Sequence, residues 1–584
     1  MCKDLSERAL AIDFGKYRTY DELYVVMKSL ADTHPHLMRL YSIGKSLRGR
    51  DLWTAEITNH ATGSADEKPG MWIDGNTHSP EVAGSAVCLK TIWCLLSNYG
   101  KDPLTTDLLD TRSIYVLPRL NPDGAEIWLT QPYHRPGAGV PNPEFENGEG
   151  HYEEDVDGDG HIVQMRIEDP NGNWKISRKD PRLMLRRSHQ DRDEDGPFYR
   201  VMTEGMLLKH RPGKEIKMAP RRFLGGTNRN YPAHWAPGGL PLGGAGPFPL
   251  WEREARAIAD FWAEHPNLGI IHTLHTSGGV MLRESITKPD SWFVEAGLEA
   301  DLMAYKAMAK VGEELTGYPA ISAFEEFTFE DDRPFRRGCG MSFFYEHLGA
   351  FVFSIELWDW YSLVGIGNFR ERGGVRFNWD NLTEDQQLKA LEWIDREANG
   401  KGFIDWKAFK HPQLGSIEIG GIDDKYTKKN PPEGKWLNYE MDKTIMFAVK
   451  HAALLPLLRI AKTTVTKLAD RIYKIEAQVE NTGFLPTNVT QMAAKIGVAK
   501  PVIIELSLEE NAELVSGYDR TELGHLDGRS AKLLLPRVVG GEVEDKTKRQ
   551  AEWVVRLKNS EQSEATIIAR CPRAGVDRKV VSLS

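Results

Sequence analysis

A histidine and a glutamate three residues apart stand where a strand gives way to a helix. His78 and Glu81 follow the strand-like stretch 70–74, and Ser79 and Pro80 suit a helix start. Side chains at this spacing point to one side of the first helical turn. One imidazole and one carboxylate provide half of a zinc site. The motif recurs by chance, so it needs partners elsewhere in the chain.

A further candidate ligand, His275, ends the buried apolar stretch 270–274. Ligand sites in open α/β sheets form at the carboxyl ends of strands. Taken alone, a hydrogen-bonded core histidine is the simpler interpretation. His272 is the competing ligand; it lies three residues earlier and on the opposite face of the strand.

Glu356 is an acid inside the strongly apolar stretch 353–357. Burying a carboxylate is costly unless it is paired or used. Low-dielectric surroundings would raise its pKa towards the value that a general base needs. A salt bridge to an arginine of 333–337 explains this glutamate equally well.

Asn228 and Arg229 belong to an Asn-Arg-Asn sequence that follows a glycine-rich turn. An arginine held between two asparagines suits a two-point grip of a carboxylate. In isolation, a turn with a solvent-exposed arginine is the simpler interpretation.

The order of these motifs resembles that of the zinc metallocarboxypeptidases of the carboxypeptidase A type. Ile73-Asp74-Gly75 precedes His78-Ser79 and Glu81, with one residue more between the glycine and the histidine than the family has. Asn121-Pro122-Asp123-Gly124 matches the turn that the family has after a core strand. The resemblance covers roughly residues 20 to 458. Each motif is weak singly, but five in the right order are specific.

The resemblance implies a role for each matching residue. His78, Glu81 and His275 would bind one zinc ion per chain and leave the fourth position to water. Glu356 would be the general base, and Asn228 and Arg229 would bind the C-terminal carboxylate of the substrate. The family also has an arginine that stabilises the oxyanion, and our choice in this chain is Arg166.

One departure concerns the support of a zinc-binding histidine. Gly226 stands where the family has an aspartate that orients such a histidine, and partners of this kind affect metal affinity. Asp74 and Asp123 are both possible substitutes.

Two acidic stretches, Asp155 to Gly160 and Asp191 to Gly196, are candidates for a second kind of metal site. The pattern DxDxDG begins calcium loops. The twelfth position counted from Asp155 is Arg166, where such a loop needs a glutamate. We therefore expect solvated acidic turns, with Ca²⁺ as the less favoured alternative.

Strand-like and helix-like stretches alternate over the first 130 residues and again from 250 to 458. This pattern predicts an α/β fold, with a mixed, mostly parallel central sheet flanked by helices. Residues 131–222 have little apolar periodicity and are predicted to form an elaborated loop insertion in a catalytic domain of residues 1–462. Period-two alternation after that predicts a small β-sandwich domain at 463–584.

Composition excludes several classes of function. The net charge of −10 argues against nucleic acid as a partner, and no apolar stretch is long enough to span a membrane. The first 14 residues lack the apolar core of a secretory signal, so we expect a cytoplasmic protein, although a trimmed chain would look the same. Five cysteines without a CxxC pair predict free thiols rather than a disulfide framework. The oligomeric state is left open.

These features favour a metallocarboxypeptidase that acts on peptides with a free C-terminal carboxylate. Two alternatives are an amidohydrolase of the same fold, acting on acyl-amino acids or cell-wall peptides, and a decayed peptide-binding protein. Specificity stays open as well. Met341 and Phe343 favour an apolar or aromatic C-terminal residue, whereas Glu325, Glu326 and Glu330 would permit a basic one.

Overall fold

The structure of the protein is a computed structural model of the 584-residue chain. It describes residues 12–209, 215–237, 245–327, 336–374, 379–398, 400–533 and 545–584. Most of the N-terminal stretch on which the expectation of a cytoplasmic protein depends lies outside these ranges, as do Cys2, Glu330 and Arg333. Within them, no helix is both long enough and apolar enough to cross a membrane.

Twelve α-helices lie in the described residues, and several of them pack on a large sheet. The twelve are α1 (Tyr20–Thr33), α2 (Val82–Asn98), α3 (Pro103–Thr111), α4 (Pro122–Thr130), α5 (Arg253–Glu264), α6 (Asp290–Glu295), α7 (Glu299–Thr316), α8 (Gly340–Glu346), α9 (Trp360–Leu363), α10 (Glu384–Glu397), α11 (Lys435–Ala452) and α12 (Gln491–Lys495). Among those that pack on the sheet are α2, α5 and α11.

Strands of the described residues fall into three regions of the chain. Those up to residue 208 are β1 (Met38–Lys45), β2 (Asp51–Ile57), β3 (Gly70–Gly75), β4 (Ser113–Leu117), β5 (Val140–Pro141), β6 (Gly150–Glu153), β7 (Gln164–Glu168), β8 (Trp174–Ile176), β9 (Met184–Arg186), β10 (Phe198–Thr203) and β11 (Gly205–Leu208). The middle region has β12 (Phe223–Leu224), β13 (Leu268–Thr276), β14 (Val280–Arg283), β15 (Ala320–Ser322), β16 (Phe351–Leu357), β17 (Phe403–His411) and β18 (Gly415–Ile422). The last are β19 (Leu458–Ala469), β20 (Ile472–Asn481), β21 (Val502–Leu508), β22 (Ala512–Ser516), β23 (Arg520–Gly524), β24 (Lys548–Leu557), β25 (Ser563–Cys571) and β26 (Gly575–Leu583).

The central sheet has eight strands in the order β1-β2-β4-β3-β13-β16-β14-β15. Its middle strands β4, β3, β13 and β16 are parallel, and β14 is antiparallel to β16. Strands β3, β13 and β16 are buried along their whole length, as expected for parallel strands covered on both faces. The predicted α/β fold with a mixed, mostly parallel sheet is confirmed.

Among its described residues, the predicted loop insertion at 131–222 contains seven short strands, β5 to β11, joined by loops and turns. It contributes β7, β8, β9 and β10 to a six-stranded antiparallel sheet that β17 and β18 complete. These strands are short, and arginine side chains stack on aromatic rings there, such as Arg186 on Trp174 at 4.0 Å. Such pairs replace the alternating aliphatic residues by which a strand is usually recognised.

Two four-stranded sheets, β19-β20-β24-β22 and β23-β21-β25-β26, form the C-terminal region and share one apolar core. The predicted sandwich is therefore confirmed. Its first strand starts at Leu458, six residues after α11 ends at Ala452. The domain boundary at residue 463 stays a prediction.

The sandwich contacts the α/β region through buried polar groups. Arg573 is 6% exposed, and its guanidinium donates to the carbonyl oxygens of Gly349, at 2.7 Å, and Leu348. Both carbonyls belong to the turn that leads into β16. Asp301 of α7 accepts the backbone N–H groups of Gln491 and Met492 at 2.7 and 3.0 Å. The C-terminal region thus supports the start of the strand that carries Glu356.

Three of the cysteines, Cys88, Cys339 and Cys571, are buried free thiols as predicted. Cys94 is disulfide-bonded, so the prediction of free thiols is wrong at that position.

We predict that Arg573→Met lowers the free energy of unfolding by about 2–4 kcal/mol, because the buried carbonyl oxygens of Leu348 and Gly349 lose their donor. The midpoint of urea unfolding measures this change. Arg570→Met is the matched control: this arginine is half-exposed and pairs with Glu505 at the surface, so the loss should stay below about 1 kcal/mol. Equal effects of the two substitutions would contradict the assigned role of Arg573.

Candidate metal centre

Three side chains converge at the carboxyl ends of β3 and β13. The Nδ1 atom of His275 lies 2.8 Å from Oε2 of Glu81 and 3.2 Å from Nδ1 of His78, and the same Oε2 lies 3.0 Å from that Nδ1. A tetrahedral ion 2.0–2.1 Å from three ligands sets the ligand atoms about 3.3 Å apart. The residues therefore fit a zinc ion as two imidazoles and one carboxylate.

A fixed loop between β3 and α2 presents His78 and Glu81. Asn76 has a left-handed backbone conformation, with φ of 64°, and its amide donates to the carbonyl oxygens of His78 and Ser79 at 2.9 and 3.2 Å. Helix α2 packs closely on this loop. A Cβ on Gly84 would lie 2.8 Å from the Leu274 carbonyl oxygen, so only glycine permits the approach.

Hydrogen bonds behind His275 fix which of its nitrogens faces the cluster. The Thr273 hydroxyl donates to Oδ1 of Asp74 at 2.7 Å and lies 3.2 Å from Nε2 of His275. Since its single proton goes to Asp74, this hydroxyl accepts from Nε2–H of His275. Nδ1 then carries the lone pair that a metal needs.

Of the two aspartates considered as support for a zinc ligand, the structure connects Asp74 to His275 through Thr273. Asp123 instead pairs with Arg50 at 2.7 Å and accepts the backbone N–H of Arg48. His272, the competing ligand, lies 2.9 Å from His451 on the other face of the sheet and is not part of the cluster.

The charges of the cluster act on one another. Burial raises the pKa of Glu81, but the charges of His78, Lys429 and His275 outweigh it and hold this pKa well below its ordinary value. Burial lowers the pKa of His275, yet Glu81, Glu356 and Asp74 bring it above its ordinary value. Glu81 therefore keeps the ionised form that metal binding requires.

Glu356 lies directly beside His275 in the parallel register of β13 and β16. Residues paired in this way project to the same face of a sheet, so the carboxyl group stands on the side of the cluster. Its residue is 7% exposed. Of the arginines considered as its salt-bridge partner, Arg336 donates to the Phe327 carbonyl oxygen and stacks on that ring at 4.4 Å.

Asn228 and Arg229 form a short turn near the same cluster. Arg229 is 7% exposed, and its charge contributes to a lowered pKa of His78, for which burial is the main cause. Among the described residues it has no carboxylate partner, and none of them accepts a hydrogen bond from its Nε. The side-chain oxygen Oδ1 of Asn228 accepts from the backbone N–H of Gly340 at 2.9 Å, which leaves the side-chain amide nitrogen to donate.

The sequence model of a family described as zinc carboxypeptidase matches residues 23–194. The chain carries a zinc carboxypeptidase domain. The match includes His78 and Glu81 and ends before His275. A second sequence model, described as a domain of unknown function, matches residues 457–582, which is most of the sandwich.

Curated relatives of this zinc carboxypeptidase domain match only a part of their own length. Carboxypeptidase A2 of Mus musculus is 36% identical over 118 residues, 20% of this chain and 27% of that protein. Carboxypeptidase D of Anas platyrhynchos is 33% identical over 122 residues, 21% of this chain and 9% of that protein. Among solved structures, carboxypeptidase A from Helicoverpa armigera covers 68% of this chain and 77% of its own, with 16% identity and a TM-score of 0.36.

Arg166, our choice for the oxyanion in the zinc carboxypeptidase domain, lies in a different part of the fold. It belongs to β7 of the six-stranded sheet, donates to Glu418 at 2.8 Å and stacks on Trp406 at 4.3 Å. A guanidinium used in this way supports that sheet. Arg166 is therefore assigned no role at the candidate metal centre.

The acidic loop at Asp155 brings three carboxylates together. Oxygen atoms of Asp155, Asp157 and Glu204 lie within 4.8 Å of one another. Asp155 accepts the backbone N–H groups of Gly158 and Gly160 at 2.8 and 2.9 Å, so hydrogen bonds within the loop account for its shape. Calcium stays the less favoured alternative here.

Sequence reasoning missed two residues of the candidate metal centre. Lys429 donates to the Thr276 carbonyl oxygen at 2.9 Å and lies 3.4 Å from the second oxygen of Glu81. No motif marks it, because it reaches the site from a loop far along the chain. Thr273 could have been found, since alternation along β13 places it on the same face as His275.

We predict that Thr273→Val weakens zinc binding about 10- to 100-fold, because His275 loses the acceptor that fixes its tautomer. Equilibrium dialysis with elemental analysis measures the affinity without reference to activity. Thr276→Val is the matched control: the Thr276 hydroxyl is buried and has no hydrogen-bond partner in the part of the chain that the structure describes, so zinc affinity should not change. An unaltered affinity in the Thr273 variant would contradict the assigned hydrogen-bond chain.

Proposed function

We propose that this chain is a zinc-dependent carboxypeptidase, which hydrolyses the bond before the C-terminal residue of a peptide. The proposal depends on one observation above all: a buried guanidinium near the candidate metal centre, that of Arg229, has no carboxylate partner among the described residues. Burying a charge without a partner is costly, so Arg229 is best explained by an anion that arrives with the substrate.

The substrate's own terminal carboxylate is the anion that fits. A guanidinium and an amide N–H together bind the two oxygens of a carboxylate, and Arg229 and Asn228 offer such donors side by side. Holding the terminal carboxylate there would bring the last peptide bond towards His78, Glu81 and His275. This arrangement favours removal of single residues from the end over cleavage within a chain.

The protein's residues divide the remaining work. His78, Glu81 and His275 would hold the zinc ion, which supplies a Lewis acid for the scissile carbonyl and lowers the pKa of a water molecule. Glu356 would accept the proton of the attacking water and deliver it to the leaving amine nitrogen. Asp74 and Thr273 would keep His275 in the tautomer that binds the metal.

We predict that the enzyme hydrolyses peptides with a free C-terminal carboxylate and leaves the matching C-terminal amides intact. Arg229→Met should lower kcat/KM by at least about 30-fold, since one partner of a buried ion pair is lost. Arg253→Met, which removes an exposed arginine of α5, is the control and should leave kcat/KM unchanged. Equal cleavage of acids and amides would contradict the exopeptidase assignment.

We predict that Glu356→Gln lowers kcat by about a thousandfold while the zinc content stays at one ion per chain, because a general base is lost and the ligands are kept. Chelation should abolish hydrolysis, and added zinc should restore it. Hydrolysis of acyl-amino acids without hydrolysis of peptides would favour an amidohydrolase. Zinc binding without turnover of either substrate class would favour a peptide-binding protein.

A further inference from the structure

Glu284 is a buried carboxylate that the proposed mechanism does not use. It follows β14 directly, and its residue has no exposed surface. One oxygen, Oε1, accepts from the Ser342 hydroxyl at 2.9 Å and from the N–H of Ile286 at 3.1 Å. The other, Oε2, is buried and has no hydrogen-bond partner among the described residues. Such an atom is costly to bury unless a partner arrives.

The strand register relates Glu284 to the general base. β14 runs antiparallel to β16, with Val280 beside Glu356 and Leu282 beside Ser354. Alternate residues of a strand share a face, so the alternation of Val280 and Leu282 continues at Glu284 on the face that carries Glu356. Four residues separate Glu284 from Val280, the residue beside Glu356, which corresponds to roughly 13 Å along the strand.

Helix α8 links Glu284 to the proposed carboxylate grip. The N–H of Gly340, its first residue, is held by Asn228, and the hydroxyl of Ser342 one half-turn later is held by Glu284. Cys339 lies between the two sites. Burial raises the pKa of its thiol, the charge of Arg229 lowers this pKa, and the charge of Glu284 raises it further. The start of α8 is therefore flanked by Arg229 and Glu284.

We propose that Glu284 is a specificity-determining residue that selects a C-terminal residue with a cationic side chain, Lys or Arg. The inference rests on the proposed carboxypeptidase function. With the terminal carboxylate on Arg229 and the scissile bond beside Glu356, a long side chain would extend along this face towards Oε2. An ammonium or guanidinium group would then pair with the buried charge.

An uncharged side chain would leave that carboxylate uncompensated. Burial, with a contribution from the charge of Glu346, raises the pKa of Glu284 to about 7, which reflects how poorly its surroundings stabilise the negative charge. A cation at Oε2 would stabilise this negative charge. Discrimination of this kind is strong, because the wrong substrate leaves a buried polar group unpaired.

The described residues from which the sequence suggested a preference for apolar or basic C-terminal residues do not have a buried, unpaired polar atom like that of Glu284. Phe343 stacks on Tyr231, with ring centroids 5.3 Å apart, and is 6% exposed, so it packs within the core. Glu325 and Glu326 are exposed and accept the backbone N–H groups of Asp290 and Ser322. Glu330 lies outside the described residues.

Peptides that differ only in a terminal lysine or norleucine test the inference, since the two side chains match in length and differ in charge. We expect the wild-type enzyme to prefer lysine by at least about 30-fold in kcat/KM. In Glu284→Gln the ratio should fall to within about threefold of one, with norleucine cleavage retained. The amide oxygen of Gln can still accept from Ser342 and Ile286, so the fold is kept. Glu326→Gln is the control and should keep the wild-type ratio.

The outcomes separate this inference from the function on which it rests. A wild-type enzyme that cleaves norleucine peptides as well as or better than lysine peptides overturns the role of Glu284 and leaves the carboxypeptidase proposal intact. A lysine preference that survives in Glu284→Gln does the same. If no peptide with any C-terminal residue is cleaved by the zinc-loaded protein, both proposals fail. A wild-type ratio of one or below overturns the role of Glu284 even if the variant does not fold.

Discussion

The parallel pairing of β3, β13 and β16 is the constraint on which the candidate site depends. Their carboxyl ends lie side by side, so residues nearly 200 positions apart, His78 and His275, come within 3.2 Å. The same register sets Glu356 beside His275. A slip of one residue in β16 would turn the glutamate to the opposite face of the sheet. Complete burial of all three strands fixes the register, because any slip would also misplace their apolar side chains.

Around this frame the protein buries two charges that lack a counter-charge among the described residues. Arg229 and Glu284 are both nearly or fully enclosed, of opposite sign, and separated by the start of α8 rather than paired with each other. Two such groups cost stability in the free protein. A substrate with a carboxylate at one end and a cation on its side chain would satisfy both. A ligand that lacks either charge would leave one of the two groups unpaired and would bind less tightly, and such a difference in affinity is what makes binding specific.

The ligands could be predicted from the sequence because each stands at a recognisable junction. His78 and Glu81 mark the start of a helix, and His275 marks the end of an apolar strand. Other parts could not be predicted. Lys429 comes from a loop without a motif. Sequence alone could not distinguish Arg166 from the other arginines of residues 131–222. It lies in the short strand β7, where its guanidinium stacks on Trp406 and no long aliphatic alternation marks the strand. Only the register of β14 against β16 places Glu284 on the face of the sheet that carries Glu356.

Anomalous X-ray scattering at the zinc edge, from crystals of the protein loaded with one equivalent of zinc, tests the central claim most directly. The account predicts one strong peak about 2.0–2.2 Å from Nδ1 of His78, Nδ1 of His275 and Oε2 of Glu81. A strongest peak at the carboxylates of Asp155, Asp157 and Glu204, or no peak near His275 in the folded protein, would contradict it.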